Sequence, residues 1–297
     1  MDFDLTGKTF VVTGATSGIG LATATELKRS GAAIIGVGRS PERCRLVENS
    51  LRGLGENSSV DYMSFDLSLQ SQVRSLASRI NELLANRSLT YLDGLVNDAG
   101  TFTFWQFLTP EGFETQWAVN HLAGFLLTNE LLPLLQAAPM GRIVTVSSGS
   151  HYGAKLNWND LQLRRGYNGL RAYGQTKLAN ILFMLELNRR LGEDSTLQGF
   201  AVDPGLVRTE IGAKGTPALV RWVWRMRSAA GDPPEKPARG IVYLLSEPSL
   251  SQATAIYWQD GKPKQPSPQA LDRVSAERLW TISAQMCNLT QSKTQEQ

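Results

Sequence analysis

Cysteine and histidine are scarce in this chain of 297 residues, which has two of each. Cys44 and Cys287 are far apart and no C-x-x-C pair occurs, so neither a disulfide framework nor a zinc ribbon is indicated. With only His121 and His151 available, a histidine-rich metal site is not expected, and we predict no metal. Cysteines without an evident pairing pattern are typical of a reducing compartment, and we expect a cytoplasmic protein.

Long apolar runs and clustered charge are also missing. No apolar stretch reaches the roughly 20 residues that a membrane-spanning helix needs, so we expect no transmembrane anchor. The N-terminus, MDFDLTGKTF, is polar and acidic and does not resemble a signal peptide. The formal net charge of +3 is spread along the chain rather than gathered in a basic stripe, which argues against nucleic-acid binding.

The chain does contain a regular alternation of short apolar runs and longer helix-like stretches. Strands are predicted at 8–14, 32–40, 60–68, 92–100, 141–149 and 197–205. Helices are predicted at 19–31, 70–87, 110–137 and 170–191. This alternation is typical of βαβ units with right-handed crossovers. It predicts an α/β fold, a single Rossmann-type domain whose doubly wound parallel sheet has helices on both faces and ligand loops at the strand carboxyl ends.

Two segments interrupt the alternation. Residues 206–239 mix glycine, proline, tryptophan and arginine, and residues 259–268 are proline-rich. The first segment has an apolar helical face made by Leu219, Trp222, Val223 and Met226. Its position after the strand at 197–205 favours a variable lid over an apolar substrate cleft, with a membrane-surface helix or a dimer contact as alternatives. We assign residues 1–290 to the domain, with a last helix at 270–287, and 291–297 to a polar tail.

A glycine-rich turn, TGATSGIG at 13–20, joins the first strand to the first helix. Glycine permits a tight turn and a close approach of the backbone to a phosphate, while a helix N-terminus offers free N–H groups and a positive dipole end. An ordinary βα turn is the alternative, but three glycines together with serine and threonine favour phosphate binding. The expected binding residues are Gly14, Thr16, Ser17, Gly18, Ile19 and Gly20.

Residues after the next three strands indicate the nucleotide. Arg39 follows the second strand, where NAD-binding proteins often carry a carboxylate, and its guanidinium suits a 2′-phosphate, so we predict NADP(H). Asp66 is expected to accept from the adenine amino group while Leu67 packs beside the base, or Asp66 is the N-cap of the next helix. The VNDAG segment leaves room for a cofactor close to the fourth strand and contributes Asn97, Ala99 and Gly100.

Tyr173 and Lys177 are four residues apart and therefore share one face of the helix predicted at 170–191. A nearby ammonium, like an oxidised pyridinium ring, is expected to lower the pKa of the phenol so that Tyr173 exchanges a proton with an alcohol or carbonyl oxygen. Lys177 would also hold the ribose hydroxyls. A surface tyrosine packing on a lysine stem is the alternative. Ser147 or Ser148 would stabilise a developing oxyanion, and strand alternation turns only one of them toward the cleft without deciding which.

Taken in order, these segments resemble the short-chain dehydrogenase/reductase family over residues 8–258. The motifs are TGATSGIG, NDAG, WAVNHLAGFLLT, the serine pair at 147–148, YGQTK and DPGLVRT at 203–209. The stretch AYGQTKLANILF and the ending YWQDGKPKQPSPQALDRVSAERLW are further similar to the retinol-dehydrogenase-like branch.

The resemblance implies a role for each matching residue. It makes Ser148 the catalytic serine and gives Asn120 the task of anchoring a water that links Lys177 to solvent as a proton relay. Asp98 stands where the family usually has asparagine, which puts the local hydrogen bonding of the sheet in doubt. His151, just beyond the serine, either lines the substrate pocket or faces solvent. The residues implied to border the nicotinamide are Pro204, Gly205, Val207 and Thr209.

We therefore predict an NADP(H)-dependent oxidoreductase that interconverts a lipophilic carbonyl compound and an alcohol, with Tyr173 as general acid and base. The family resemblance implies a homo-oligomer, while the membrane-anchoring N-terminal helix of many branch members is not expected here. A catalytically silent NADPH sensor or scaffold of the same fold is the alternative, and a light-driven tetrapyrrole reductase is a third hypothesis. The set of Asn120, Ser148, Tyr173 and Lys177 favours the enzyme.

Overall fold

The computed structural model describes residues 3–55, 58–208 and 231–289. In these ranges eight strands form one sheet in the order β3-β2-β1-β4-β5-β6-β7-β8. The strands are β1 Thr9–Thr13, β2 Ala33–Gly38, β3 Val60–Ser64, β4 Gly94–Asn97, β5 Arg142–Val146, β6 Gln198–Val202, β7 Tyr257–Gln259 and β8 Lys262–Pro263. The first seven pair in parallel, and β8 pairs antiparallel with β7. The strand order reverses between β1 and β4, which opens a crevice at their carboxyl ends.

Helices cover both faces of this sheet. They are α1 Gly18–Arg29, α2 Pro41–Arg52, α3 Gln70–Asn86, α4 Thr115–Trp117, α5 Ala123–Gln136, α6 Gly169–Leu191, α7 Glu235–Ser246 and α8 Arg273–Met286. A π turn at Ala118–Leu122 joins α4 to α5. One apolar cluster packs α3, α5, α6 and α8 against the sheet, and a second packs α1, α2 and α7 against the opposite face.

Strand β1 shows why the sheet sits at the centre. All five of its residues are buried. Val11 belongs to the cluster under α3, α5 and α6, whereas Phe10 and Val12 belong to the cluster under α1 and α7. Successive side chains of a strand point to opposite faces, so an unbroken apolar run fits a strand that is covered on both sides. Each such side chain stabilises the fold by about 1.5–3 kcal/mol relative to an exposed one.

The predicted α/β fold with a parallel sheet and helices on both faces is confirmed. The helix predicted at 110–137 begins later, at Thr115, because Glu114 caps it by accepting from the N–H groups of Gln116 and Trp117. Four elements were not predicted, namely α2, α7, β7 and β8. None of the helices in the described ranges is both long and apolar enough to cross a bilayer.

Candidate active site

The glycine turn before α1 has a backbone that other residues would strain. Gly14 and Gly18 have φ angles of +70° and +55°, in the left-handed region. A Cβ on Gly20 would lie 2.6 Å from the carbonyl oxygen of Gly14, so no side chain fits there. The three glycines are therefore required by the path of the chain, and that path brings bare backbone to the mouth of the crevice.

Tyr62 anchors this turn from β3. Its ring lies across Gly36 of β2, where a Cβ would be 2.4 Å from the ring. Its hydroxyl donates to the carbonyl oxygen of Ala15 at 3.0 Å. The role of Tyr62 was not predicted. The available signal was Gly36, since a glycine inside a strand often marks the close approach of another group.

The turn fits the phosphates of a nucleotide. Ser17 is the N-cap residue of α1, but its hydroxyl makes no capping hydrogen bond. Within the described ranges, the N–H groups of Gly18 and Ile19 have no protein acceptor. A free hydroxyl and free N–H groups at the positive end of a helix are the donors that a phosphate binds. Thr16 lies beside them, with its methyl group over Gly38 of β2.

Arg39 follows β2 at the same edge and is exposed. Its carbonyl oxygen accepts from the hydroxyl of Ser64 at 3.0 Å, which fixes the backbone. Its guanidinium forms no ion pair with any carboxylate of the described residues. A fixed backbone with a free cation is what the predicted contact to a 2′-phosphate requires.

Asp66 does not cap α3, so that alternative is wrong. Its Oδ1 accepts from the N–H of Ser68 at 3.0 Å, while α3 begins only at Gln70, after Leu69 in the N-cap position. Glu111 caps α3 from a distant loop and accepts from the N–H of Gln70 at 2.6 Å. The predicted contacts of Asp66 and Leu67 with the adenine stay predictions.

Asn97 and the residues after it point in different directions at the end of β4. The amide of Asn97 donates to Thr128 of α5 at 3.0 Å, so its side chain faces that helix rather than the crevice. Any contact of Asn97 with a cofactor would therefore involve its backbone. Ala99 lies against the glycine turn, and its Cα would be 3.0 Å from a Cβ on Gly14. Gly100 follows on the same partly exposed edge.

Asp98 does not disturb the sheet. The hydroxyl oxygen of Thr13 accepts from the N–H groups of Asp98 and Ala99, both at 3.1 Å, which maintains the link between β1 and β4. The carboxylate of Asp98 faces the N-terminus of α1. Burial raises its pKa to about 7, while Lys177 and the amide of Gly20 act in the opposite direction.

Tyr173 and Lys177 lie in the second and third turns of α6, which Asn168 caps. Lys177 is 3% exposed, and its Nζ donates to the carbonyl oxygen of Val146 at 2.9 Å. The same Nζ is 5.4 Å from the ring centroid of Tyr173. The end of β5 and one face of α6 thus hold the phenol and the ammonium side by side.

Only one residue of the serine pair faces Tyr173. The side chain of Ser148 lies close enough to Tyr173 to lower the pKa of the phenol, and its hydroxyl accepts from the N–H of Ser150 at 3.2 Å. Ser147 is buried, and its hydroxyl donates to the backbone carbonyl of Lys177 at 2.7 Å. The geometry therefore puts Ser148 beside the phenol, in the position that the family resemblance implies.

The expectation that Lys177 lowers the pKa of the phenol is wrong for the protein's own groups. Burial raises the pKa of Tyr173, and the carboxylates of Asp98 and Asp203 raise it further, against a smaller effect of Ser148. Burial also lowers the pKa of Lys177 to about 8, which Asp98 opposes. Desolvation and the two carboxylates dominate the pKa of the phenol, while the ammonium of Lys177 donates to the carbonyl oxygen of Val146. Tyr173 is therefore a neutral phenol at neutral pH.

Asn120 lies in the π turn and has its amide group fully engaged. Its Oδ1 accepts from the N–H of Thr101 at 2.7 Å. Its Nδ2 donates to the carbonyl oxygen of Thr101 at 2.9 Å and to Thr176 of α6 at 3.2 Å. Among the described residues the side chain makes no direct hydrogen bond to Lys177, and the water-mediated proton relay stays a prediction.

The loop after β6 closes the other side of the crevice. Gly205 follows Pro204 with φ of +72°, and its N–H donates to Oδ1 of Asp203 at 3.0 Å. Val207 is 8% exposed and forms a bridge with Asp232. The predicted contact through Thr209 and the apolar face at 219–226 lie outside the described residues.

A cleft of about 570 Å³ opens beside Tyr173. Its lining residues are Ser150, Gly153, Ala154, Lys155, Leu170, Arg171, Tyr173 and Gly174. Phe102 meets the ring of Tyr173 edge-on, with 6.0 Å between centroids. His151 is neither a pocket residue nor a solvent-facing one, because it is completely buried beneath the serine loop. The cleft is large enough for a small organic molecule with one end at the phenol.

Known proteins share both the sequence and the fold. The family model of short chain dehydrogenases matches residues 8–219. Retinol dehydrogenase 13 of Homo sapiens is 36% identical over 98% of this chain and 88% of its own. An uncharacterized protein from Mycobacterium Paratuberculosis superposes with a TM-score of 0.74 at 32% identity, covering 96% of this chain and 95% of that one. A short chain dehydrogenase from Escherichia coli CFT073, complexed with NADPH, has a TM-score of 0.67 at 23% identity, with coverages of 88% and 100%.

Proposed function

Because the chain belongs to the short-chain dehydrogenase family, we propose that it is an NADP(H)-dependent oxidoreductase that interconverts a carbonyl compound and an alcohol. The observation that carries this proposal is the grouping of three polar side chains at the crevice. Ser148 adjoins the phenol of Tyr173 and lowers its pKa, and the buried ammonium of Lys177 is 5.4 Å from the phenol ring. An acid, an oxyanion donor and a cation beside a nucleotide cradle are the groups that carbonyl reduction requires.

The mechanism assigns a task to each of these side chains. A bound nicotinamide supplies the hydride and accepts it in the reverse direction. In reduction, the hydroxyl of Ser148 donates a hydrogen bond to the substrate oxygen while negative charge develops there. Tyr173 transfers its phenolic proton to that oxygen, which forms the alcohol and leaves a phenolate beside Lys177. The phenolate then regains a proton from solvent. The raised pKa of Tyr173 suits reduction, because the phenol is already protonated at neutral pH.

The proposed cofactor is NADP(H), since Arg39 presents a free guanidinium at the end of β2. The NADPH complex of the Escherichia coli protein with this fold supports the choice. Arg39→Asp is expected to weaken NADPH binding by at least about tenfold, because a charge-assisted hydrogen bond contributes about 1.5–3 kcal/mol. The measurement is titration of both cofactors against wild type and variant. NADH binding should be little changed, and an unaltered preference for NADPH would refute the assignment of Arg39.

The proposed substrate is a lipophilic aldehyde, ketone or alcohol. The similarity to Retinol dehydrogenase 13 supports a substrate with an extended apolar part, and the cleft beside Tyr173 has the volume for one. A cytoplasmic location and a homo-oligomer belong to the same proposal. Cell fractionation and light scattering of the purified protein test these two points directly.

Replacing Tyr173 with phenylalanine tests the catalytic assignment. The variant keeps the ring and loses the proton, so kcat should fall by about 10²–10⁴-fold while NADPH affinity stays within about twofold. The assay follows nicotinamide absorbance across a panel of lipophilic carbonyl compounds. Tyr91→Phe, at the opposite end of the sheet, is the matched control. Cofactor binding by wild type without turnover of any carbonyl would instead favour the silent sensor.

A further inference from the structure

The two loops that form the crevice separate after their strands end. The N–H of Ser147 donates to the carbonyl oxygen of Val202 at 2.7 Å, and this is the last backbone hydrogen bond between β5 and β6. Beyond it, the serine loop and the turn at Asp203–Gly205 follow different paths. Both must nevertheless stay in register, because one carries Ser148 and the other borders the proposed nicotinamide site. We define residues 262–268, which lie against both loops, as the brace.

The brace contacts the turn at Asp203–Gly205 through an ion pair. Nζ of Lys264 donates to Oδ2 of Asp203 at 2.6 Å and to Oε1 of Gln259 at 2.6 Å. Asp203 is 3% exposed, and its other oxygen accepts from the N–H of Gly205. The backbone N–H of Lys264 donates to the carbonyl oxygen of Tyr257 at 2.8 Å, so the lysine itself is fixed to β7. One carboxylate thus joins the turn to the brace.

The brace contacts the serine loop through His151. Nδ1 of His151 is 2.8 Å from the carbonyl oxygen of Ser148, which only accepts, so Nδ1 carries the hydrogen. Nε2 is 3.1 Å from the N–H of Ser267, which only donates, so Nε2 accepts. His151 is 0% exposed, and these two partners fix it as one neutral tautomer. Tyr152 adds a second link, because its hydroxyl donates to the carbonyl oxygen of Gln265 at 2.7 Å.

We propose that His151 and Lys264 are positioning residues, through which the brace sets the catalytic serine and the turn at Asp203–Gly205 in register. This inference rests on the proposed function of the same site. His151 holds the backbone of Ser148, and therefore the hydroxyl beside Tyr173, while Lys264 holds the turn that borders the cofactor. A displacement of about 1 Å in a reacting group lowers the rate by as much as 10²-fold. Because the brace holds both the serine loop and the turn at Asp203–Gly205, it affects catalysis although it lies outside the cleft.

A pair of amide variants at position 151 separates the two hydrogen bonds. The Nδ2 of asparagine occupies the place of Nδ1, so His151→Asn keeps the donor to Ser148 and loses the acceptor for Ser267. The Oε1 of glutamine occupies the place of Nε2, so His151→Gln keeps the acceptor for Ser267 and loses the donor to Ser148. We expect kcat to fall about tenfold in His151→Gln and to stay within about twofold of wild type in His151→Asn.

The unfolding midpoint in urea is measured on the same two variants. If His151 had only a structural role, kcat would fall in parallel with the unfolding midpoint. His151→Asn, which has the smaller side chain, would then lose more of both than His151→Gln. Equal losses of kcat, or a larger loss in His151→Asn, would overturn the role of His151.

The surroundings of His151 favour its neutral form. Burial lowers the pKa of His151 and Lys264 lowers it further, while the hydrogen bond to Ser148 and the charge of Asp203 raise it. An imidazole protonated on both nitrogens would leave the N–H of Ser267 without an acceptor. Tyr152 and Tyr257 pack against the ring, with 4.1 Å and 4.9 Å between centroids.

Lys264→Met tests the second contact and has a matched control. The side chain of Lys264 is 31% exposed and pairs with the side chain of Asp203, which is 4% exposed. The side chain of Lys8 is 34% exposed and pairs with that of Asp93, which is 4% exposed, at the amino ends of β1 and β4. Both Met variants remove the charge, keep the chain length and leave a buried carboxylate unpaired. We expect Lys264→Met to weaken NADPH binding about tenfold and Lys8→Met to leave it unchanged, with similar losses of stability.

Equal NADPH affinities in the two Met variants would overturn the role of Lys264. This comparison needs no turnover, so its outcome is independent of the proposed reaction. If wild type reduces no carbonyl compound, the proposed function fails, and the affinity of Lys264→Met still decides whether the brace positions the turn.

Discussion

Asp98 places a carboxylate between two parts of the site, the N-terminus of α1 and the ammonium of Lys177. Its pKa of about 7 means that its charge changes within the working range of many enzymes. When ionised, it raises the pKa of both Tyr173 and Lys177. This one residue therefore makes the phenol a weaker acid, which favours its role as a proton donor in reduction over its role as a base in oxidation.

Asp98→Asn is expected to shift the pH dependence of the reaction. Asparagine keeps an oxygen facing Gly20 but carries no charge, so the pKa of Tyr173 falls. Alcohol oxidation requires the phenolate, and its rate should rise at lower pH in the variant. The measurement is kcat/KM for oxidation and reduction as a function of pH. Wild type and variant should agree below about pH 7, where Asp98 is protonated, and diverge above it. Coincident profiles at high pH would contradict the role of Asp98.

The local geometry that the sequence predicted correctly involves residues that lie close together in the chain. Tyr173 and Lys177 share a helix face by spacing alone, and Gly14 and Gly18 lie in one turn. His151 and Tyr62 could not be assigned in this way. The partner of His151 is Ser267, and that of Tyr62 is Ala15, so their hydrogen bonds depend on how distant segments meet. The pKa of Tyr173 was mispredicted for the same reason, since Asp98 and Asp203 approach it only in the folded chain.

Helices α5, α6 and α8 meet at a second buried histidine, at the end of the π turn. Nδ1 of His121 is 3.4 Å from the amide oxygen of Asn180 on α6, and Nε2 is 2.9 Å from the hydroxyl of Ser283 on α8. The ring packs against Trp117, with 4.8 Å between centroids. Burial lowers the pKa of His121 to about 4. The imidazole is therefore neutral in the folded chain at pH values where it is charged in the unfolded one.

We expect His121 to make the junction of α5, α6 and α8 less stable in acid. The pKa of His121 is about 6.5 in the unfolded chain and about 4 in the folded one. Between these pH values the imidazole is protonated only in the unfolded chain, so the folded state loses stability as the pH falls from about 6.5 to about 4. The full effect is roughly 3 kcal/mol. In urea unfolding at pH 7 and pH 5, His121→Leu should be destabilised at pH 7 and should lose less stability than wild type on acidification. A variant as acid-sensitive as wild type would show that another group is responsible.

Each of the unpredicted elements lacks a recognisable signal in its own sequence. Helix α2 buries only Cys44 and Leu51, so its sequence lacks the apolar period that reveals a helix. Helix α7 begins after Pro233 and Pro234, which suggest a loop when read alone. Strands β7 and β8 span three and two residues and are recognisable only by their pairing. Long helices such as α3 and α6 were predicted because each extends over several turns, which makes a helix easier to recognise in the sequence.

At the scale of the whole molecule, the active site is assembled from both ends of the chain. The family model matches residues 8–219, which include the glycine turn, the serine loop and α6. The similarity to Retinol dehydrogenase 13 extends over 98% of the chain and therefore takes in the brace and α8. The sheet order explains how these parts meet, because β7 adds to the edge of β6 and carries the brace to the same carboxyl edge as Tyr173.

The late place of β7 and the brace in the chain has a consequence for the protein during its synthesis. A nascent chain that has reached Leu250 already contains the nucleotide cradle, the phenol and the ammonium. It still lacks Lys264 and Ser267, so Asp203 has no cation and His151 no donor. Catalytic competence would therefore arrive only after Ser267 has been synthesised and has left the ribosome, and fragments released before that point would bind nucleotide loosely and turn over little.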